Sequence, residues 1–150
     1  MPLDALNDLL EDETGGVFFL PRHAEPREVQ AAARRAKFAY FHIEGKNIAR
    51  KEQLLNHVAT ALRFPGYFGD NWDALDEVLA DVDLDGHSGG FVVLDHATGF
   101  ARANPAAWDM LIAIAHTAVQ RWDEWGKAFA VAARGESAAI QLPELDLFEP

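Results

Sequence analysis

The residues best placed to do chemistry are four carboxylates within one short stretch: Asp70, Asp73, Asp76 and Glu77. At about 100° per residue on a helix, Asp73 and Glu77 lie one turn apart on a single stripe, with Asp70 at its start and Asp76 beside it. Leu75, Val78, Leu79 and Val82 fall on the opposite side, so the segment reads as an amphipathic helix with its acids outward. Like charges at this spacing cost a helix only a few tenths of a kcal/mol, and acids near its start recover part of that from the dipole. The preceding loop, Pro65-Gly66-Tyr67-Phe68-Gly69, sets two aromatics between glycines directly before the charged face. Rigid aromatics beside a charged surface are the residue types that anchor protein partners. The plainer alternative is that Tyr67 and Phe68 plug a sheet edge while the acids are simply solvated.

Two other chemistries compete for these and nearby acids. Asp81-Val82-Asp83-Leu84-Asp85-Gly86 matches the first half of an EF-hand loop, but the twelfth position, which should supply a bidentate glutamate, is Val92. A tight solvated turn is the expectation there. Asp70, Asp73 and Glu77 have the spacing of Mg²⁺ ligands in a carboxylate-dependent hydrolase. The chain has no Gly-rich phosphate loop and no G-x-S-x-G elbow to support such an enzyme. Its six histidines, at 23, 42, 57, 87, 96 and 116, show no helical metal spacing. Asp95-His96 ends an apolar run where α/β sites often form, and packing or hydrogen bonding is its expected role. No catalytic residue, metal ligand or cofactor is assigned, and the chain is not expected to be an enzyme.

Net charge is −11, which repels phosphate backbones and anionic lipid and attracts a basic protein. The charge is unevenly spread. From Phe64 through Ala101 there is no Lys or Arg, whereas Arg34, Arg35, Lys37, Lys46, Arg50 and Lys51 cluster earlier. Cysteine is absent, which excludes disulfides and thiolate metal sites. The first residues, MPLDALNDLLEDETGG, are acidic and interrupted, unlike a secretory signal, and no apolar run approaches the ~20 residues of a membrane span. A cytoplasmic protein is expected.

The elements that must position the acids follow from periodicity. VFFL at 17–20, FAYFHIEG at 38–45, FVVLDH at 91–96 and KAFAVAAR at 127–134 read as strands. Helices are predicted from Pro26 through Ala36, over 50–63, from about Asn71 to Ala80, and from Pro105 to about Trp122. The order β-α-β-α-α-β-α-β predicts an α/β fold, a parallel sheet of three to four strands with helices packed against it. One domain over 1–150 is expected, with a core at about 38–134, an N-terminal strand-helix extension over 1–37 and an irregular tail over 135–150. The extension should add an edge strand and a covering helix, although a role in dimerisation stays open.

PGYFGDNWDALDEVL, residues 65–79, resembles the signature segment of the barstar family, intracellular inhibitors of barnase-type ribonucleases. Pro65, Tyr67, Phe68, Gly69, Asp70, Asn71, Asp73, Ala74, Leu75 and Leu79 carry the likeness, which extends more loosely from Phe38 to Arg134 through the order of elements. The resemblance implies a barstar-like fold and a protein that lays its acidic helix and leading loop over a ribonuclease's cationic active site. It implies partner-binding roles for Tyr67, Phe68, Gly69, Asn71, Asp73, Asp76 and Glu77. Asp73 takes the place of one interface carboxylate, Tyr67 that of an aromatic contact, and Gly69 and Asn71 shape the turn. The principal phosphate-mimicking aspartate of the family falls at Glu77, one methylene longer. An interface tryptophan is replaced by Asp76, and a later-helix carboxylate falls at or near His116. The implied partner is a secreted or toxin-type ribonuclease, with no direct nucleic acid and no membrane. An immunity or antitoxin-type binder of a different basic toxin remains the alternative reading, ahead of the carboxylate-dependent hydrolase.

Overall fold

The computed structural model describes residues 4–64 and 71–136. Four strands form one all-parallel sheet: β1 (Gly16–Pro21), β2 (Phe38–Glu44), β3 (Gly89–Asp95) and β4 (Ala128–Gly135), in the spatial order β1-β4-β3-β2. The fold is α/β. β3 is buried at every position, and β4 is buried along its first three residues and at Ala132 and Ala133. Both therefore read as apolar runs without alternation, as strands covered on both faces must. Gly89 and Gly90 lie before the strand predicted over 91–96, yet they begin β3. A Cβ at Gly89 would strike the Ala128 carbonyl oxygen, and one at Gly90 would press on Leu84 and Phe129.

Among the described residues, six helices cover the sheet. On one face, α1 (Asp4–Glu11) and α2 (Pro26–Arg35) bury Leu6, Leu10, Val29, Ala32 and Ala33 against Phe18, Leu20, Phe38, Phe91 and Val93. The other face carries α3 (Lys51–Ala61), α4 (Trp72–Ala80), α5 (Ala97–Ala103) and α6 (Pro105–Glu124). Their core joins Leu54, Leu55, Val58, Leu75, Leu79, Phe100 and Trp108 to Phe19, Ile43, Val92, Leu94 and Phe129. Pro26 and Pro105 each occupy the first turn of their helix, where a missing N–H costs nothing.

The predicted element order needs two additions. The predicted order assigns no element to residues 4–11 or 97–103, and both segments are helices of eight residues or fewer. Gly135, expected at the start of the irregular tail, still pairs in β4 beside Pro21, and residues 137–150 lie outside the described residues. β1 lies at a sheet edge, where the terminal Pro21 removes no needed donor.

Candidate partner-binding face

α4 starts where it does because Asn71 caps it. The Asn71 Oδ1 accepts hydrogen bonds from the backbone N–H groups of Asp73 at 2.9 Å and Ala74 at 3.3 Å. Two of the helix's unpartnered donors are thereby satisfied, and Asp73 is placed in the first turn, where the helix dipole favours an acid. Leu75 and Leu79 turn inward and are buried, and Val82 just beyond the helix is buried as well. Burial on that side fixes the opposite side outward: Asp73 and Glu77 are exposed, one turn apart.

Two contacts from α6 hold α4 in place. The Trp122 indole N–H donates to the Leu79 carbonyl at 2.8 Å, and Arg121 reaches the Asp76 carboxylate at 3.4 Å. Asp76 is half-buried and shares its charge with this guanidinium, whereas the sequence pattern counted it with the outward acids. The charge presented by the helix is therefore chiefly that of Asp73 and Glu77. Sequence reasoning also missed Trp72, the first residue of the helix, whose ring receives the Lys51 ammonium at 5.6 Å from its centroid. That contact ties the start of α3 to the start of α4 and places one cation beside the carboxylates.

Asn71, Asp73, Asp76 and Glu77 are thus brought together on one element. Tyr67, Phe68 and Gly69, together with Pro65, Gly66 and Asp70, lie outside the described residues. His116 is exposed on α6 and lines a groove with Glu13, Thr14 and Gln120, while Arg121 and Trp122 are the α6 residues bonded to α4. Among the described residues, the α4 acids do not join a histidine or further carboxylate in a group that could hold a cation. The Asp81–Gly86 turn uses its own acids internally: the Asp83 Oδ1 accepts the Asp85 N–H at 3.0 Å, and Gly86 takes φ +81°. It is a tight turn, stapled by Lys127 Nζ donating to the carbonyls of Leu84 and His87.

Among the described residues, the ionisable groups with displaced values lie elsewhere, on β2 and β3. Asp95 is buried, and burial alone would push its carboxyl up. The hydrogen bonds from His42 and Arg134 and the Arg134 charge outweigh that and hold it well below the usual carboxylate range. Its Oδ1 takes Arg134 at 2.7 Å and the His96 backbone N–H at 2.8 Å, while Oδ2 faces His42 Nε2 at 3.1 Å. The Asp95 bond raises His42 above its ordinary value against the opposing effect of burial. Burial, seconded by Asp95, pushes the Tyr40 phenol up to about 12.

Among known proteins, the family model described as Barstar (barnase inhibitor) matches residues 38–134. No curated protein matches the chain. Two solved structures share its fold at low identity. One is the ORC2 protein of Aeropyrum pernix in ADPNP–ADP complexes, with TM-score 0.59 and 15% identity, covering 90% of this chain and 39% of that one. The other is Cdc6p of Pyrobaculum aerophilum, with TM-score 0.56 and 19% identity, covering 90% and 37%. This chain spans less than two fifths of either, and at such identity the likeness concerns the fold alone.

Proposed function

Because this chain belongs to the barstar family, whose model spans α4 and the strands β2, β3 and β4 behind it, we propose that it binds and inhibits a basic ribonuclease through the exposed face of α4. The observation that carries this reading is the pair Asp73 and Glu77, exposed one turn apart on a capped helix within the matched region. A ribonuclease cleft binds a polyanion and must be cationic, so a rigid pair of carboxylates offers it the charge of two phosphates. The net charge of −11 adds long-range attraction and speeds encounter. In this reading Tyr67, Phe68 and Gly69 form the leading part of the same surface, residues 1–150 act as one domain, and the protein works in the cytoplasm as a binder rather than an enzyme.

A specific observation favours a second reading, a toxin other than a barnase-type ribonuclease. Asp76 stands where the family carries an interface tryptophan, and it is turned toward Arg121 instead of outward. The surface is therefore less aromatic and less symmetrically charged than the family pattern.

The test is inhibition of purified barnase-type ribonucleases, measured by cleavage of a fluorogenic RNA at low and high salt. Wild-type protein should inhibit at least one, more tightly at low salt. Asp73→Ala with Glu77→Ala should weaken inhibition by roughly 10³-fold, taking each as a hot spot of about 2 kcal/mol. If the double variant inhibits as well as wild type, α4 is not the docking face. If no ribonuclease of the panel is inhibited, the toxin reading takes its place.

A further inference from the structure

The parallel pairing of β2 with β3 builds a second constellation that uses none of the α4 residues. Glu44 lies directly beside Asp95 in the register, and His42, two residues before Glu44, projects from the same side of β2. The ligand atoms of His42, Glu44 and Asp95 all lie within 4.8 Å of one another. They sit at the C-terminal ends of the strands, where open parallel sheets characteristically place their ligands. We propose that His42, Glu44 and Asp95 bind a divalent cation of the zinc class, with water in the fourth position.

Three features favour a cation over a closed hydrogen-bond network. First, one donor pair already has the spacing a zinc ion requires. Two donors each about 2.0–2.1 Å from zinc lie roughly 3.3 Å apart at a tetrahedral angle, and His42 Nε2 stands 3.1 Å from Asp95 Oδ2. Second, the ligands are held by a supporting shell. The buried Asp95 has its Oδ1 fixed by Arg134 and the His96 N–H, which leaves Oδ2 aimed at the site. Glu44 is oriented by His96 Nδ1 at 2.7 Å and by the Lys46 backbone N–H at 2.9 Å, both on its Oε1. Outer contacts of this kind set ligand orientation in metal sites. Third, an ion has access. The His42 side chain is 35% exposed and that of Glu44 is 48% exposed.

The donor chemistry selects the ion. An imidazole with two carboxylates suits a borderline metal such as Zn²⁺ or Co²⁺, whereas Mg²⁺ and Ca²⁺ prefer oxygen alone. Three protein ligands with an open fourth position is the arrangement of a zinc ion that keeps a bound water.

The experiment is titration of the chelator-stripped full chain with Zn²⁺ by calorimetry, and with Co²⁺ by its visible absorption. One ion per chain should bind, with the intense visible bands of a four-coordinate cobalt site, and Mg²⁺ should give no binding. His42→Ala should abolish the site. Glu44→Gln, which keeps the side chain's shape at an exposed position, should weaken it by at least the roughly 10-fold that loss of an outer-shell partner costs a metal site. His57→Ala, which removes an exposed histidine on α3, should change nothing. The inference fails if wild-type protein binds no Zn²⁺ at micromolar concentration, or if the Co²⁺ spectrum survives in both His42→Ala and Glu44→Gln. It fails equally if His57→Ala removes the signal.

Discussion

Replacing Arg134 by Met tests the account of the buried charge at the end of β4. The Arg134 and Asp95 side chains are 12% and 4% exposed, and their ion pair is 2.7 Å long. The same guanidinium donates to the carbonyls of Ala24 at 2.7 Å and Arg22 at 2.6 Å, stitching the β1–α2 loop to β4. Methionine keeps most of the volume and removes all three bonds. An uncompensated buried charge costs about 3–5 kcal/mol, and the lost bonds to carbonyls add to it. Part is recovered, because His42 and the His96 N–H still face the carboxylate. A net loss of about 3–4 kcal/mol follows, which in a chain of this length lowers Tm by roughly 10 °C. Urea unfolding followed by tryptophan fluorescence and circular dichroism, in EDTA, measures it. The decisive comparison is Asp95→Asn with Arg134→Met. Removing the stranded charge should return about 1–2 kcal/mol relative to Arg134→Met alone. A loss under about 1 kcal/mol in the single variant, or a double variant at the sum of the two singles, would refute the reasoning.

Asn71→Ala removes the cap of α4 and should cost about 1 kcal/mol in urea unfolding, with Asn71→Gly costing less; equal losses would mean that the side-chain bonds to Asp73 and Ala74 contribute nothing. Asp76→Asn should change stability by less than about 1 kcal/mol, since its pair with Arg121 is half-exposed and 3.4 Å long; a larger loss measured in the same way would show the pair to be better shielded than its exposure implies. Stability should also depend on pH through the Asp95–His42 pair. The Asp95 value is depressed on folding, so its contribution is complete above the unfolded carboxylate range near 4 and is lost as pH falls toward the depressed value. The His42 value is raised, so its contribution is complete below about 6.5 and is lost as pH rises through the raised value. Denaturation midpoints from pH 3 to 9, wild type minus Asp95→Asn, should therefore peak between those limits, and a flat difference curve would contradict both assignments.

The strands were legible because each is a short apolar run closed by Gly, Pro or a charge, and each lies within two residues of its predicted start and end. What periodicity does not carry is contact between distant segments. β1 and β4 are neighbours although more than 100 residues of chain separate them. α1 has only Leu6 and Leu10 buried, among Asp4, Asp8 and Glu11, and a helix of eight residues is too short to hold by propensity alone. It forms because α2 and the sheet give those leucines somewhere to go. α5 contains Gly99 and follows His96 at φ +51°, a combination that reads as loop in any single sequence.

The same limit governs the two sites, in opposite ways. The α4 face was readable because its residues share one helix: Asp73 and Glu77 are fixed outward by Leu75 and Leu79 turning inward, and that pattern is local. Its modifiers were not readable, since Arg121 and Lys51 arrive from α6 and α3. The His42–Glu44–Asp95 constellation has no local pattern at all. His42 and Asp95 are 53 residues apart and meet only because β2 and β3 pair in a particular register. A shift of that register by one residue would turn His42 and Glu44 to the other face relative to Asp95 and dissolve the group. The buried Phe91, Val92, Val93 and Leu94 forbid such a shift by the apolar surface they would lose, so the core of β3 fixes the chemistry at its end.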